Sequence, residues 1–225
     1  MRQNSHISLI KVMKQFLTAI FWVITTMTYA QISQPDEEMK AANALEEILK
    51  DFEAENYDAA LVKLDEIDAR SPNDPVVLNL IGSVYTKKGD YVTARSVFEK
   101  SLEVEPGFFP SDYNIGELFF LQKDYTAARE HFQAMRSDDS RHELLQFKVA
   151  LCDILLGEED RAQKLMKTIK YPGDSPAWYY AHAALENKRG NRAKAREYVR
   201  GAQYIFGSKC ALFDETFQSL GLNLK

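Results

Sequence analysis

Residues 78–106 read LNLIGSVYTKKGDYVTARSVFEKSLEVEP, and the spacing of their apolar and small side chains decides the fold. Leu78, Ile81, Gly82 and Tyr85 recur at intervals of three and four, as do Ala94, Val97, Phe98 and Leu102, so each half reads as a helix with one apolar stripe. Lys88-Gly89-Asp90 between them stops the first helix and starts the second. The same hairpin then recurs with a period of 34 residues. Gly82 is followed in phase by Gly116, Ala150 and Ala184; Tyr57 by Tyr91 and Tyr125; Ala60 by Ala94, Ala128 and Ala162; Leu64 by Phe98, Phe132 and Met166. Pro72 and Pro106 close the first two units, and no segment alternates as a strand would, so the chain is predicted to be all-α.

A small residue where two helices cross lets the backbones approach, while the larger columns fill the space on either side. The pattern Leu78-x-x-Ile81-Gly82-x-x-Tyr85, then Ala94, Phe98 and Pro106, resembles the tetratricopeptide repeat family. The resemblance covers units 41–74, 75–108, 109–142 and 143–176 in phase, and a fifth, 176–209, slipped by one residue, with Gly190, Ala195 and Ala202 at its turn and helix positions. It implies a right-handed superhelical solenoid of helix-turn-helix repeats. In the first unit Ile48 stands at the small crossing position and Leu45, Leu49 and Phe52 are displaced by one, as a terminal repeat allows. Glu159 and Ala193 replace the tyrosine column in the last two units. Residues 210–225 carry Leu212, Phe213, Thr216, Phe217 and Leu220 on one stripe, with Gly221 as a stop, and are expected to form a helix capping the end of the solenoid. Residues 31–40 are expected to be a short leader.

Composition narrows the classes further. With 225 residues, 45% hydrophobic, 27% charged, 10 Gly and 7 Pro, disordered and collagen-like chains are excluded. A net charge of −5 argues against a general nucleic-acid binder. Residues 1–30 contain Arg2, Lys11 and Lys14, no acid, and an apolar run from Phe16 to Met27 ending in Thr28-Tyr29-Ala30, the order of a cleavable secretory signal. That run is shorter than the ~20 residues a spanning helix needs. Met13-Lys14 begins a more typical signal by itself, so Met1 and Met13 both stand as starts. The mature chain is expected to be soluble, periplasmic or secreted, without stable membrane insertion. Export would permit a disulfide, yet Cys152 and Cys210 both sit in apolar helical surroundings, where a buried thiol is the commoner fate.

Groups that would support catalysis are sparse. His131, His142 and His182 have no metal-ligand spacing, no Gly-rich loop follows a strand, and no Ser sits in a nucleophile turn. Glu158-Glu159-Asp160 and Asp138-Asp139 fall at helix ends or turns, where carboxylates complement a helix N-terminus. His182 falls near a crossing and reads as a packed residue. No enzyme, metal site or cofactor is expected.

What remains is a surface. The resemblance implies that the first helix of each unit lines a concave face, supplied here by Asn79, Ser83 and Thr86, then Tyr113, Glu117 and Phe120, then Phe147, Leu151 and Ile154, then Tyr180 and Asn187. From the third unit on, this groove is apolar and aromatic. One sub-type of the family grips a peptide carboxylate there with Lys, Asn and Arg; Asn79, Asn114 and Lys148 fall short of that set, which disfavours carboxylate capture. Two occupants suit the stripe: the chain's own tail helix or a neighbouring copy, or an apolar peptide or amphipathic helix from outside. The function expected is an exported protein-binding scaffold for envelope assembly or complex organisation; the alternative is a glycan- or ligand-binding module stacking on Tyr113, Tyr180 and Trp178. Charge adds a second surface. Residues 36–74 hold 13 acids and 4 bases, whereas residues 160–209 hold 4 acids and 11 bases, including Lys188, Arg189, Arg192, Lys194, Arg196 and Arg200, a basic patch suited to an acidic partner or to self-association.

The signal reading fixes one number that mass spectrometry can check. The native protein should begin at Gln31; an intact mass that retains Phe16 to Met27 overturns the cleaved signal.

Overall fold

In a computed structural model of the chain, residues 35–135 and 139–224 are described. The signal segment lies outside them, as does Asp138. No strand occurs among the described residues, so the expected all-α class holds. No helix there is long and apolar enough to cross a membrane. The chain divides into two compact units, residues 1–111 and 112–225.

The first unit contains α1 (Pro35–Glu53), α2 (Tyr57–Arg70), α3 (Pro75–Lys88) and α4 (Tyr91–Val104). Helix α1 begins inside the segment read as a leader. Proline as a first helical residue explains this, because its missing N–H would be unpaired there in any case and its φ suits the helix. Each later turn is set by local chemistry. The Asp74 carboxylate accepts from the Val76 and Val77 amides beside Pro75, Gly89 ends α3 with φ 80°, and Asp90 accepts from the Thr93 amide at 3.1 Å. The core gathers Ile48, Ala60, Leu61, Leu64, Val77, Ile81 and Val84. Ile48, at the displaced crossing position, is 4% exposed and packs with the rest.

The second unit takes up α5 (Phe109–Leu121), which starts just before the boundary, and continues with α6 (Tyr125–Ala134), α7 (Asp139–Leu156), α8 (Glu159–Met166), α9 (Ala177–Lys188) and α10 (Arg192–Phe206). A 3-10 turn over Gly207–Cys210 leads into α11 (Ala211–Ser219). The connection from 167 to 176 carries a cis Tyr171–Pro172 bond, and the one-residue slip of the period falls there.

The crossings are tight. A Cβ built on Gly82 would lie 2.7 Å from Cδ1 of Phe98, and one on Gly116 would lie 2.8 Å from Cζ of Phe132. Both rings are 1% exposed and have nowhere to swing. Gly82→Ala and Gly116→Ala should therefore each lower stability by about 1–3 kcal/mol, the cost of overpacking. Phe98→Leu in the Gly82→Ala background should recover part of it. Urea unfolding of the variants checks this, and unchanged midpoints in both single variants would mean that these helices do not cross at the glycines.

Candidate functional site

The residues expected to floor the concave groove do converge in the second unit, and they converge on helix α11. From α5, Tyr113, Glu117 and Phe120 lie on one face; from α7 come Phe147, Lys148, Leu151 and Ile154; from α9, Tyr180 and Asn187. Helix α11 lays Phe213 and Phe217 among them. The Phe213 ring is 4.9 Å from Phe147 and 5.2 Å from Tyr180, and the Phe217 ring is 6.4 Å and 5.1 Å from the same two. Of the two occupants expected for the stripe, the chain's own tail helix is the one that lies there, so the groove does not stand open along α11. Tyr113, Phe120, Phe147, Leu151, Ile154 and Tyr180 are all 4% exposed or less, with the chain's own amphipathic helix packed on Phe147 and Tyr180. That helix was expected to cap the end of the repeats; its ring contacts are instead with α7 and α9, the first helices of the last two pairs.

Polar contacts fix its register. Lys148 is fully buried and its ammonium lies 2.8 Å from a Glu117 oxygen. It donates to the Thr216 hydroxyl at 2.8 Å, and that hydroxyl donates to the Leu212 carbonyl at 3.1 Å. The ammonium also lies 4.8 Å above the Phe120 ring and 5.8 Å from that of Tyr113. One cation thus ties α5, α7 and α11 together. On the other flank the Tyr180 hydroxyl donates to Asp214 at 2.5 Å. Burial first, then the Asp214 carboxylate, pushes the Tyr180 phenol up, and burial with Glu117 does the same to Tyr113. Both stay protonated. Sequence reading placed Lys148 only as a partial carboxylate clamp and missed Thr216 and Asp214 as the polar contacts that α11 brings across the groove.

Where α11 ends, the groove reopens. A pocket of about 310 Å³ is floored by Leu151, Ile154 and Leu220, with Asn187, Lys188 and Lys123 around it. Of the expected groove residues only Asn187 is partly exposed there, while Phe120, Leu151 and Ile154 stay buried behind the pocket wall. Asn79, the remaining groove residue, belongs to the first unit and is buried there, accepting from the Ser111 hydroxyl at 3.3 Å.

The alternative stacking site is not open either. Tyr113 and Tyr180 are sealed, and Trp178 is packed between Tyr171 at 4.2 Å and His182 at 4.0 Å. His182 bonds the Trp178 carbonyl through Nδ1, and burial holds its pKa below the usual imidazole value. His131 bonds Asp112. Glu158 pairs with Arg129 and Arg161, and Glu159 with Arg189, so these carboxylates are structural. Among the described residues no group of His, Cys, Asp and Glu could hold a metal. No disulfide joins Cys152 and Cys210, both buried, and burial pushes the Cys152 thiol up to about 12.

The basic patch divides in two. Arg189 is held by Glu159 and Glu186, Lys194 by Glu186 at 3.4 Å, and Arg192 donates to the Asn223 carbonyl at 3.2 Å. Lys188, Arg196 and Arg200 are exposed.

With this geometry in place, comparison with known proteins is informative. The tetratricopeptide repeat model matches residues 76–108. Over 111 residues, 49% of its length, the chain is 30% identical to the Hsp70-Hsp90 organizing protein of Triticum aestivum, of which it spans only 18%. A tetratricopeptide repeat protein from Parabacteroides merdae superposes with a TM-score of 0.53 at 15% identity, covering 80% of this chain and 73% of that one. A thermophilic tetratricopeptide protein from Thermus thermophilus gives 0.53 at 20% identity, over 80% and 99%. These likenesses show the fold.

Removing one member of a buried ion pair costs about 3–5 kcal/mol, whereas replacing both members by apolar groups is often close to neutral. Lys148→Met should therefore destabilise by about that amount, and Lys148→Met with Glu117→Leu should recover most of it. Denaturant midpoints measure both; a harmless Lys148→Met would remove the ammonium from its role in holding α11.

Proposed function

We propose that the chain is an exported protein-binding scaffold whose second unit binds an amphipathic helix in the groove between α5, α7 and α9, the envelope being the setting of its partners. One observation carries the reading: the groove already holds such a helix. What α11 presents specifies the partner's chemistry, namely two phenylalanines a turn apart for Phe147 and Tyr180, a hydroxyl for Lys148, and a carboxylate for the Tyr180 phenol. Peptide recognition by a helix in a groove needs this combination of buried anchors and a few directional polar contacts. The N-terminal basic and apolar segment supports export, and the fold supports scaffolding.

A tethered helix competes at an effective concentration of about millimolar, so an outside helix must displace it. Weakening α11 should accordingly open the site. A labelled peptide of residues 207–222 should bind full-length Phe213→Ala/Phe217→Ala at least tenfold more tightly than wild type. Fluorescence anisotropy reads the affinity and circular dichroism confirms the helix content. A folded double variant that takes up no peptide would overturn the groove as a helix-binding site.

A further inference from the structure

We propose that the chain associates with further copies of itself, the exposed face of α10 in one copy seating on the groove between α1 and α2 of the next. The donor face is a single stripe, since Arg196, Arg200 and Tyr204 stand four residues apart. Tyr204 is 92% exposed and Ile205 beside it 57%. The two arginines make no ion pair among the described residues, unlike Arg189 and Lys194 on the same patch. Solvent-facing tyrosine and isoleucine flanked by uncommitted arginines are the composition of an interface centre rather than of a solvated helix.

The acceptor lies in the first unit. Helices α1 and α2 enclose a shallow groove of about 420 Å³ with Ala44, Ala59, Val62 and Ile67 on its floor and, at its edge, Glu47 paired with Lys63 and Glu66 paired with Arg70. Val62 is 59% exposed. Glu66 is held only by Arg70 one turn on, at 3.7 Å with both side chains largely in water, a pair that an incoming arginine displaces at little cost. Asp65 next to it is exposed and makes no ion pair among the described residues. An apolar floor with the exposed Asp65 and the weakly held Glu66 beside it matches a Tyr-Ile knob with arginines on its flank.

A second copy is the occupant that uses both surfaces. Residues 36–74 carry 13 acids against 4 bases and residues 160–209 carry 11 bases against 4 acids, so the complementary faces occur on one chain in equal number. The contact joins two different patches, and such heterologous contacts propagate into open chains or rings rather than stopping at a two-fold dimer. Charge across the interface also makes it salt-dependent, since the screening length falls to about 8 Å at 0.15 M and shortens further above that. This surface shares no residue with the α11 groove, so the two proposals stand or fall separately.

The test is static light scattering of the mature full-length protein across a concentration series at low and high salt. At low salt the weight-average mass should rise with concentration past that of a dimer, and it should return toward the monomer at high salt. Arg196→Glu/Arg200→Glu should weaken association at least tenfold, and so should Asp65→Lys/Glu66→Lys, with circular dichroism unchanged in both. Mixed one to one, the two variants should associate again, because the reversed donor of the first fits the reversed acceptor of the second. A monomer throughout, association indifferent to either variant, or a mixture that stays apart overturns the proposal. Phosphatidylglycerol vesicles provide a further arm. Vesicle binding by wild type that Arg196→Glu/Arg200→Glu abolishes, without self-association, would assign the face to an anionic surface and also overturn it.

Discussion

From the second repeat unit on, the helix pairs depend on one steric constraint, the close approach of a small residue to a large one where two helices cross. Gly82 against Phe98 and Gly116 against Phe132 leave no room for a methyl group. Ala150 and Ala184 continue that column at 0% and 3% exposed, and Ala60, Ala94, Ala128 and Ala162 are all fully buried. Because the constraint is local to each hairpin, it can repeat every 34 residues without reference to the rest of the chain. The aromatic residues that then protrude from α5, α7 and α9 are a by-product of that spacing. They form a surface that must be covered.

This is why the fold was legible and the state of the groove was not. Size and periodicity are written locally, so the crossings, the turns at Gly89 and Gly157, and the amphipathic character of α11 can all be read from short stretches. Other features leave no such mark. The left-handed turn residue recurs at positions 55, 89, 123 and 157, yet two of the four are Glu55 and Lys123, with φ 60° and 64°. Neither residue type signals positive φ, which costs a side chain about 1–2 kcal/mol. The seat of α11 depends on contacts between residues as far apart as Lys148 and Thr216, and nothing near either residue encodes the other. Lys148 itself reads as an exposed base in the groove, while Phe120, Tyr113 and the tail helix bury it completely.

Buried charge in the second unit is better understood as specifying an arrangement than as adding stability. Two clusters stand there. Lys148 joins Glu117, and Asp153, 1% exposed, is reached by Arg129 at 3.4 Å and Arg161 at 3.6 Å. Burial raises the Asp153 pKa despite both arginines, a sign that desolvation outweighs the attraction. Hydrophobic contact alone would let α11 slide by a turn along Phe147 and Tyr180. The Thr216 and Asp214 contacts admit one register, because any shift leaves Lys148 without its hydroxyl and the Tyr180 phenol without its carboxylate.

On the proposed function, that same economy explains how one helix can be both structural and replaceable. The apolar part of the contact is generic, and any helix with two phenylalanines a turn apart would satisfy it. The polar part is specific and rests on the Thr216 and Asp214 side chains of α11. A competing segment therefore needs little sequence in common with residues 211–219 to be recognised, but it needs a hydroxyl and a carboxylate at the same spacing. The tether supplies α11 with an effective concentration rather than with better contacts. In that proposal, selectivity of the groove resides in Lys148 and Tyr180, and the threshold that a partner must exceed resides in the short connection through Gly207, whose φ of 54° turns the chain back toward α7 and α9.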